Sequence, residues 1–138
     1  MKNEESAGLI VFRKSRGELA YLLLKDGLGY WGFPKGHLQS KETLTKAALR
    51  ETKEESGIEE IELQPGFQRW THYFFQKNGE KISKRVCFFL GKAKNQKVIL
   101  SSEHQDYQWL SYPQARERLG FKNARLLLKE AQVYLSSN

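Results

Sequence analysis

Between Gly36 and Ile58 the chain carries a helix that its own charges oppose. Thr43 reads as an N-cap and Gly57 as the residue after the last turn, which predicts three to four helical turns between them. Leu44, Ala47 and Ala48 start a stripe suited to burial. One turn later the stripe becomes acidic, at Glu51, Glu54 and Glu55. These positions are i, i+3 and i+4, so the three carboxylates share one face. Like charges at that spacing repel, and acids in the last turns meet the negative end of the helix dipole; each effect costs a few tenths of a kcal/mol, in the same direction. A hard cation relieves both, and Mg²⁺ is commonly held by one or two carboxylates together with substrate phosphates. A solvated acidic face is the alternative. The full spacing G-x5-E-x7-R-E-x-x-E-E-x-G followed by an apolar residue argues against it.

The length of 138 residues suits one domain with a sizeable core, and residues 1–138 are read as that domain. No apolar run reaches membrane-spanning length and no signal-peptide pattern follows Met1, so a soluble cytoplasmic protein without a membrane partner is expected. Cys87 is the single cysteine, so no intrachain disulfide can form, and its apolar strand-like setting predicts a core residue. The net charge of +7 favours polyanionic ligands without distinguishing nucleotides from RNA.

Strands are predicted over 7–13 and 19–25, joined by a turn at Arg16-Gly17. Their consecutive apolar residues imply burial on both faces. After the helix come a short strand at 61–63, a break at Pro65-Gly66, and an aromatic strand over 67–76. Asn78-Gly79 marks a hairpin returning over 82–92. Further short strands are expected at 98–100 and 107–110, then helices over 112–119 and 123–135. This order implies a mixed sheet packed against helices, an α/β or α+β layering.

The stretch from Gly36 to Ile58 resembles the Nudix box, the signature of the Nudix hydrolases. Thr52 departs from it, standing where the family usually has an aliphatic residue, at a position expected to be half-buried. The resemblance implies an α/β fold, the α/β/α sandwich with a central mixed sheet, over nearly the whole chain. It also implies hydrolysis of a nucleoside-diphosphate-linked substrate with Mg²⁺, for which Mn²⁺ can substitute. By that likeness Glu51 and Glu55 match the principal metal ligands, Glu54 a further ligand or support, and the Gly36 carbonyl and Glu103 complete the set. Arg50 matches a residue that orients a box carboxylate, and Glu42 supports the site at longer range. The resemblance implies that the proton of the attacking water goes to Glu55 or to Glu103, in the loop Ser101-Ser102-Glu103-His104-Gln105.

Residues outside the box resemble the asymmetrical diadenosine tetraphosphate hydrolases: Trp31-Gly32-Phe33-Pro34-Lys35-Gly36-His37, the Glu103 loop with Tyr107-Gln108-Trp109-Leu110, and Gly66-Phe67-Gln68-Arg69 with Tyr73. In that group Tyr73 and Phe121 would stack on a base, and Lys35 and Lys84 would contact phosphates, with His37 beside them. His104 would position Glu103. The substrate expected is therefore a dinucleoside polyphosphate or another nucleotide. An RNA 5′-pyrophosphohydrolase is the alternative, and a non-catalytic sensor of nucleotide or RNA is a third reading, disfavoured because every acid of the box is retained. The sequence shows no obligate protein partner. It also lacks a zinc-type H-E-x-x-H, a P-loop and a GxGxxG.

Overall fold

Strand β1 (Lys2–Ser15) is buried without interruption from Ser6 to Phe12, as its unbroken apolar run requires. The structure, a computed structural model, describes residues 1–94 and 97–137. β1 pairs antiparallel with β2 (Glu18–Asp26) through Arg16-Gly17, where both φ angles are positive (53° and 80°), as a tight hairpin turn demands. Further back along the same edge it pairs antiparallel with β4 (Lys35–His37), Ala7 standing opposite Gly36. Its other edge runs parallel to β6 (Glu80–Ala93) over eleven residue pairs, from Lys2–Ile82 to Phe12–Lys92. β5 (Ile61–Lys77) completes that side, β3 (Trp31–Gly32) the far side, and β7 (His104–Leu110) pairs with β2. Among the described residues the result is a seven-stranded mixed sheet.

The pleat sorts the core into two layers. Leu9, Val11, Leu22 and Leu24 point to one face and pack with Ile58, just past helix α1 (Leu44–Ser56). Ile10, Phe12, Tyr21 and Leu23 point to the other. There they meet Ala115 and Leu119 at α2 (Tyr112–Arg118) and Leu127, Leu128 and Ala131 of α3 (Lys122–Ser136). Helices therefore cover both faces, as an α/β sandwich requires.

Two expectations need correction here. The break at Pro65-Gly66 is a bulge within β5, with a register shift between Leu63 and Gln68 and Gly66 at φ 80°. Residues 98–100 form no strand; the Ile99 N–H donates to the Ser56 carbonyl at 2.8 Å, so this segment crosses the end of α1. Cys87 is buried, as expected.

Candidate active site

Helix α1 begins and ends where its caps predict. The Thr43 side chain accepts from the Lys46 N–H at 3.2 Å, and Gly57, at φ 76°, donates its N–H to the Lys53 carbonyl at 2.8 Å. Ala47, Ala48, Thr52 and Ser56 form its buried face. Thr52 is fully buried rather than half-buried, since it faces the sheet. Its hydroxyl is satisfied by the Ala48 carbonyl at 2.8 Å, and the Ser56 hydroxyl by the Thr52 carbonyl at 2.6 Å.

This seating turns the acidic face toward β4. A Cβ at Gly36 would overlap the Glu51 carboxyl, so the backbone of the loop and the carboxylate approach as closely as only glycine permits. Because Gly36 faces α1, the side chains of Lys35 and His37 point to the opposite side of the strand.

Arg50 gathers the acids. It donates to Glu42 Oε2 from Nε at 2.7 Å and to Oε1 from Nη2 at 3.0 Å, a bidentate pair. Nη1 reaches Glu51 at 2.8 Å and both Glu54 oxygens at 3.2 Å, and Nη2 also holds the His37 carbonyl at 2.9 Å. Hydrogen bonding to Arg50, and then to the Gln39 N–H, holds the Glu42 carboxyl below its ordinary pKa. Arg50 thus contacts three carboxylates and one carbonyl. Glu54 points to Arg50, partly exposed, rather than to Glu55.

Glu55 is the carboxyl most out of balance. Burial, then the hydrogen bond and negative charge of Glu51, then the charge of Glu103 push its pKa up to about 9; the Lys35 N–H, 3.4 Å from Oε1, acts in the opposite direction. The loop carrying Glu103 is fastened to the same helix end, Ser101 N–H donating to the Glu55 carbonyl at 3.1 Å. His104 sits with Nε2 3.5 Å from Glu55 Oε1, and its Nδ1 lies 2.8 Å from the Ser101 hydroxyl. Sequence reasoning linked His104 to Glu103; the structure links it to Glu55, and no spacing along the chain signals that contact.

On the opposite side of β4 lies a cationic, aromatic floor. Lys35 Nζ is 5.8 Å above the Tyr73 ring, Tyr73 stands beside Lys84 across β5–β6, and Lys84 Nζ is 3.3 Å from His37 Nε2. Glu4 adds an acid 3.6 Å from His37, which the sequence did not single out. Crowding by protein lowers the pKa of both lysines; Glu55 and Asp26 oppose this at Lys35, Tyr73 and Glu4 oppose it at Lys84, and Lys35 adds to it at Lys84. Phe121 caps α3 and is half exposed, its ring 5.3 Å from Tyr30. The ring contact of Tyr73 is with Phe75, so the structure does not bring Tyr73 and Phe121 face to face.

Among the described residues, no three His, Cys, Asp or Glu side chains are already converged for a metal ion. The donor chemistry nevertheless suits a hard divalent cation. Glu51 lies against the Gly36 backbone, which no Cβ screens, and it is close enough to Glu55 to raise the pKa of that carboxyl.

A family model described as NUDIX domain matches residues 2–130. The mouse bis(5′-nucleosyl)-tetraphosphatase [asymmetrical] is 35% identical, the match covering 96% of this chain and 95% of that protein. The RNA pyrophosphohydrolase of Nitratiruptor sp. is 35% identical over a shorter region, 59% of each chain. The crystal structure of a C. elegans Ap4A hydrolase binary complex superposes with TM-score 0.87 at 30% identity, covering 98% of this chain and 99% of that one.

Proposed function

This chain belongs to the NUDIX family and is a pyrophosphohydrolase of it, and we propose that it cleaves diadenosine tetraphosphate asymmetrically into ATP and AMP. The observation that carries the reading is the position of Lys35. Its N–H faces the Glu55 carboxyl at 3.4 Å while its ammonium lies over Tyr73, so one residue joins the carboxylate site to the aromatic floor. A substrate lying along that line presents a phosphate chain to the lysines and a base to the aromatic rings.

Glu51, Glu55, Glu54, Glu103 and the Gly36 carbonyl would hold Mg²⁺, or Mn²⁺ in its place. When bound, the ion neutralises phosphate charge and acidifies water. Lys35 and Lys84 take phosphoryl oxygens as point charges, with His37 beside Lys84. Tyr73 stacks on one base, and Phe121, with Tyr30 against it, provides the other stacking surface. Arg50 holds Glu51 and Glu54 in place by its hydrogen bonds. Water attacks the phosphorus at one end of the chain; the anhydride oxygen leaves with ATP, and the water's proton passes to Glu55, with Glu103 the second candidate. Both residues therefore belong to the catalytic set with Glu54 and Arg50.

Similarity to an RNA pyrophosphohydrolase over 59% of the chain supports a second reading, removal of diphosphate from an RNA 5′ end by the same carboxylates. Incubation with Mg²⁺ and either diadenosine tetraphosphate or 5′-triphosphorylated RNA separates the two. The first substrate is expected to yield equal ATP and AMP and to be turned over faster. ADP without AMP would overturn asymmetric cleavage, and preference for RNA would favour the second reading.

Recognition has its own test. Tyr73→Ala removes one stacking surface and is expected to raise KM about tenfold while changing kcat less, because base–aromatic stacking is worth about 1–3 kcal/mol. An unchanged KM would assign Tyr73 to packing against the core alone.

A further inference from the structure

Tyr73 and Phe75 point toward the lysine floor, so the intervening residues of β5 point to the opposite face of the sheet. There Trp70, His72 and Phe74 form a row that α1 leaves open: Trp70 is 41% and Phe74 53% exposed. The row spans about 13 Å, from the rise of roughly 3.3 Å per strand residue. Cations accompany the rings. The Arg85 guanidinium lies over Trp70 at 4.3 Å from its centroid, and Lys81 Nζ over Phe74 at 4.9 Å. His72 links the ends, its ring 4.7 Å from Phe74 and its Nε2 2.6 Å from the Ser83 hydroxyl on the neighbouring strand. Glu5 adds an acid 3.8 Å from Arg85.

We propose that this face of the β5–β6 hairpin is a binding platform for single-stranded nucleic acid, separate from the carboxylate site and independent of that site's substrate. Planar rings at two-residue spacing on an open sheet face accept successive bases without regard to sequence, and flanking cations take the backbone phosphates. Both rings keep exposed surface beside their cations, 41% at Trp70 and 53% at Phe74. A protein partner fits the row less well. It would bury Arg85 and Lys81 away from water, and among the described residues the ion pair shown to offset this is Glu5 with Arg85. The net charge of +7 adds a long-range attraction for a polyanion.

The test uses a fluorescein-labelled oligoadenylate of ten nucleotides with a 5′-hydroxyl, which carries no diphosphate for the carboxylate site. Fluorescence anisotropy is expected to show binding that weakens with added salt. The Trp70→Ala/Phe74→Ala variant is expected to bind at least about tenfold more weakly. Arg85→Gln/Lys81→Gln is expected to weaken binding and flatten its salt dependence. Hydrolysis of diadenosine tetraphosphate by both variants is expected to stay at the parent rate, which also reports that they fold. Tyr73→Ala, on the other face, is expected to bind the oligonucleotide normally. Three results would overturn the proposal: oligonucleotide affinity unchanged by loss of the two rings, affinity lost equally in Tyr73→Ala, or concentration-dependent self-association in sedimentation that the ring variant abolishes, which would make the row a contact between copies of the chain.

Discussion

Glu55→Gln is expected to fold normally and to lose turnover by a factor on the order of 10³ or more. Glutamine has the shape of a protonated glutamic acid and can still donate to Glu51, so the local hydrogen bonding survives. It cannot take a proton from water or lend a negative charge to a cation. The same variant tests the electrostatics without any substrate. In metal-free buffer the folded protein holds a proton on Glu55 up to about pH 9, against an ordinary value of 4.5. The unfolded chain has released that proton above about 4.5. Between those values the folded state binds more protons, so stability falls as pH rises. The variant lacks that loss and should melt higher than the parent at pH 8, the difference closing as pH approaches 4.5. Added Mg²⁺ should raise the melting temperature of the parent and leave the variant nearly unmoved, because a ligand stabilises only the state that binds it. Near-parental turnover would remove Glu55 from the proton-accepting and metal-holding roles together.

What the sequence made legible was local. Thr43, Gly57, Asn78 and Gly79 act through their own backbone, so α1 and the β5–β6 turn stand where neighbouring residues place them. The acidic face of α1 follows from helical period alone. Residues whose conformation is set by partners far along the chain were harder to read. Lys2 to Glu5 are polar and fall outside the strand expected over 7–13, yet they extend β1 because β6 runs parallel beside them. Ile99 is held by a hydrogen bond to Ser56, where a short apolar run suggested a strand. Arg50 was expected to pair with a box carboxylate, but the spacing did not say which one. Its bidentate partner is Glu42, before the N-cap, and it also holds the His37 carbonyl on β4. The contact of His104 with Glu55 depends on a loop folding back over the end of α1. In each case the missing information was a tertiary neighbour.

Gly36→Ala is expected to reduce turnover by at least about a hundredfold while the protein stays folded, and Gly8→Ala to lower the stability of the fold itself. Both glycines sit at close approaches, but what they approach differs. The nearest atoms an added Cβ at Gly36 would overlap are those of the Glu51 carboxyl, the far end of a flexible side chain. That end can swing away at small cost to the fold, because Arg50 retains its bidentate hold on Glu42. The displacement is nevertheless what the chemistry cannot accommodate, since it takes one of the two paired carboxylates away from the Gly36 backbone. At Gly8 the Cβ would meet the Phe88 ring at 2.6 Å, the Pro34 carbonyl at 2.6 Å and Lys35 Cβ at 2.8 Å. A backbone oxygen and a core ring cannot step aside independently, so β1 and the Pro34–Lys35 segment must separate. Overpacking of that kind costs about 1–3 kcal/mol, and more where backbone must shift. Urea melts and steady-state rates on the two variants check the contrast. If Gly36→Ala turned over normally, the carboxylate at Glu51 would not need its place beside that backbone; if Gly8→Ala were as stable as the parent, β1 and the Pro34 loop would be free to part. The paired outcome ties the activity to the geometry at Gly36 rather than to general damage of the strand.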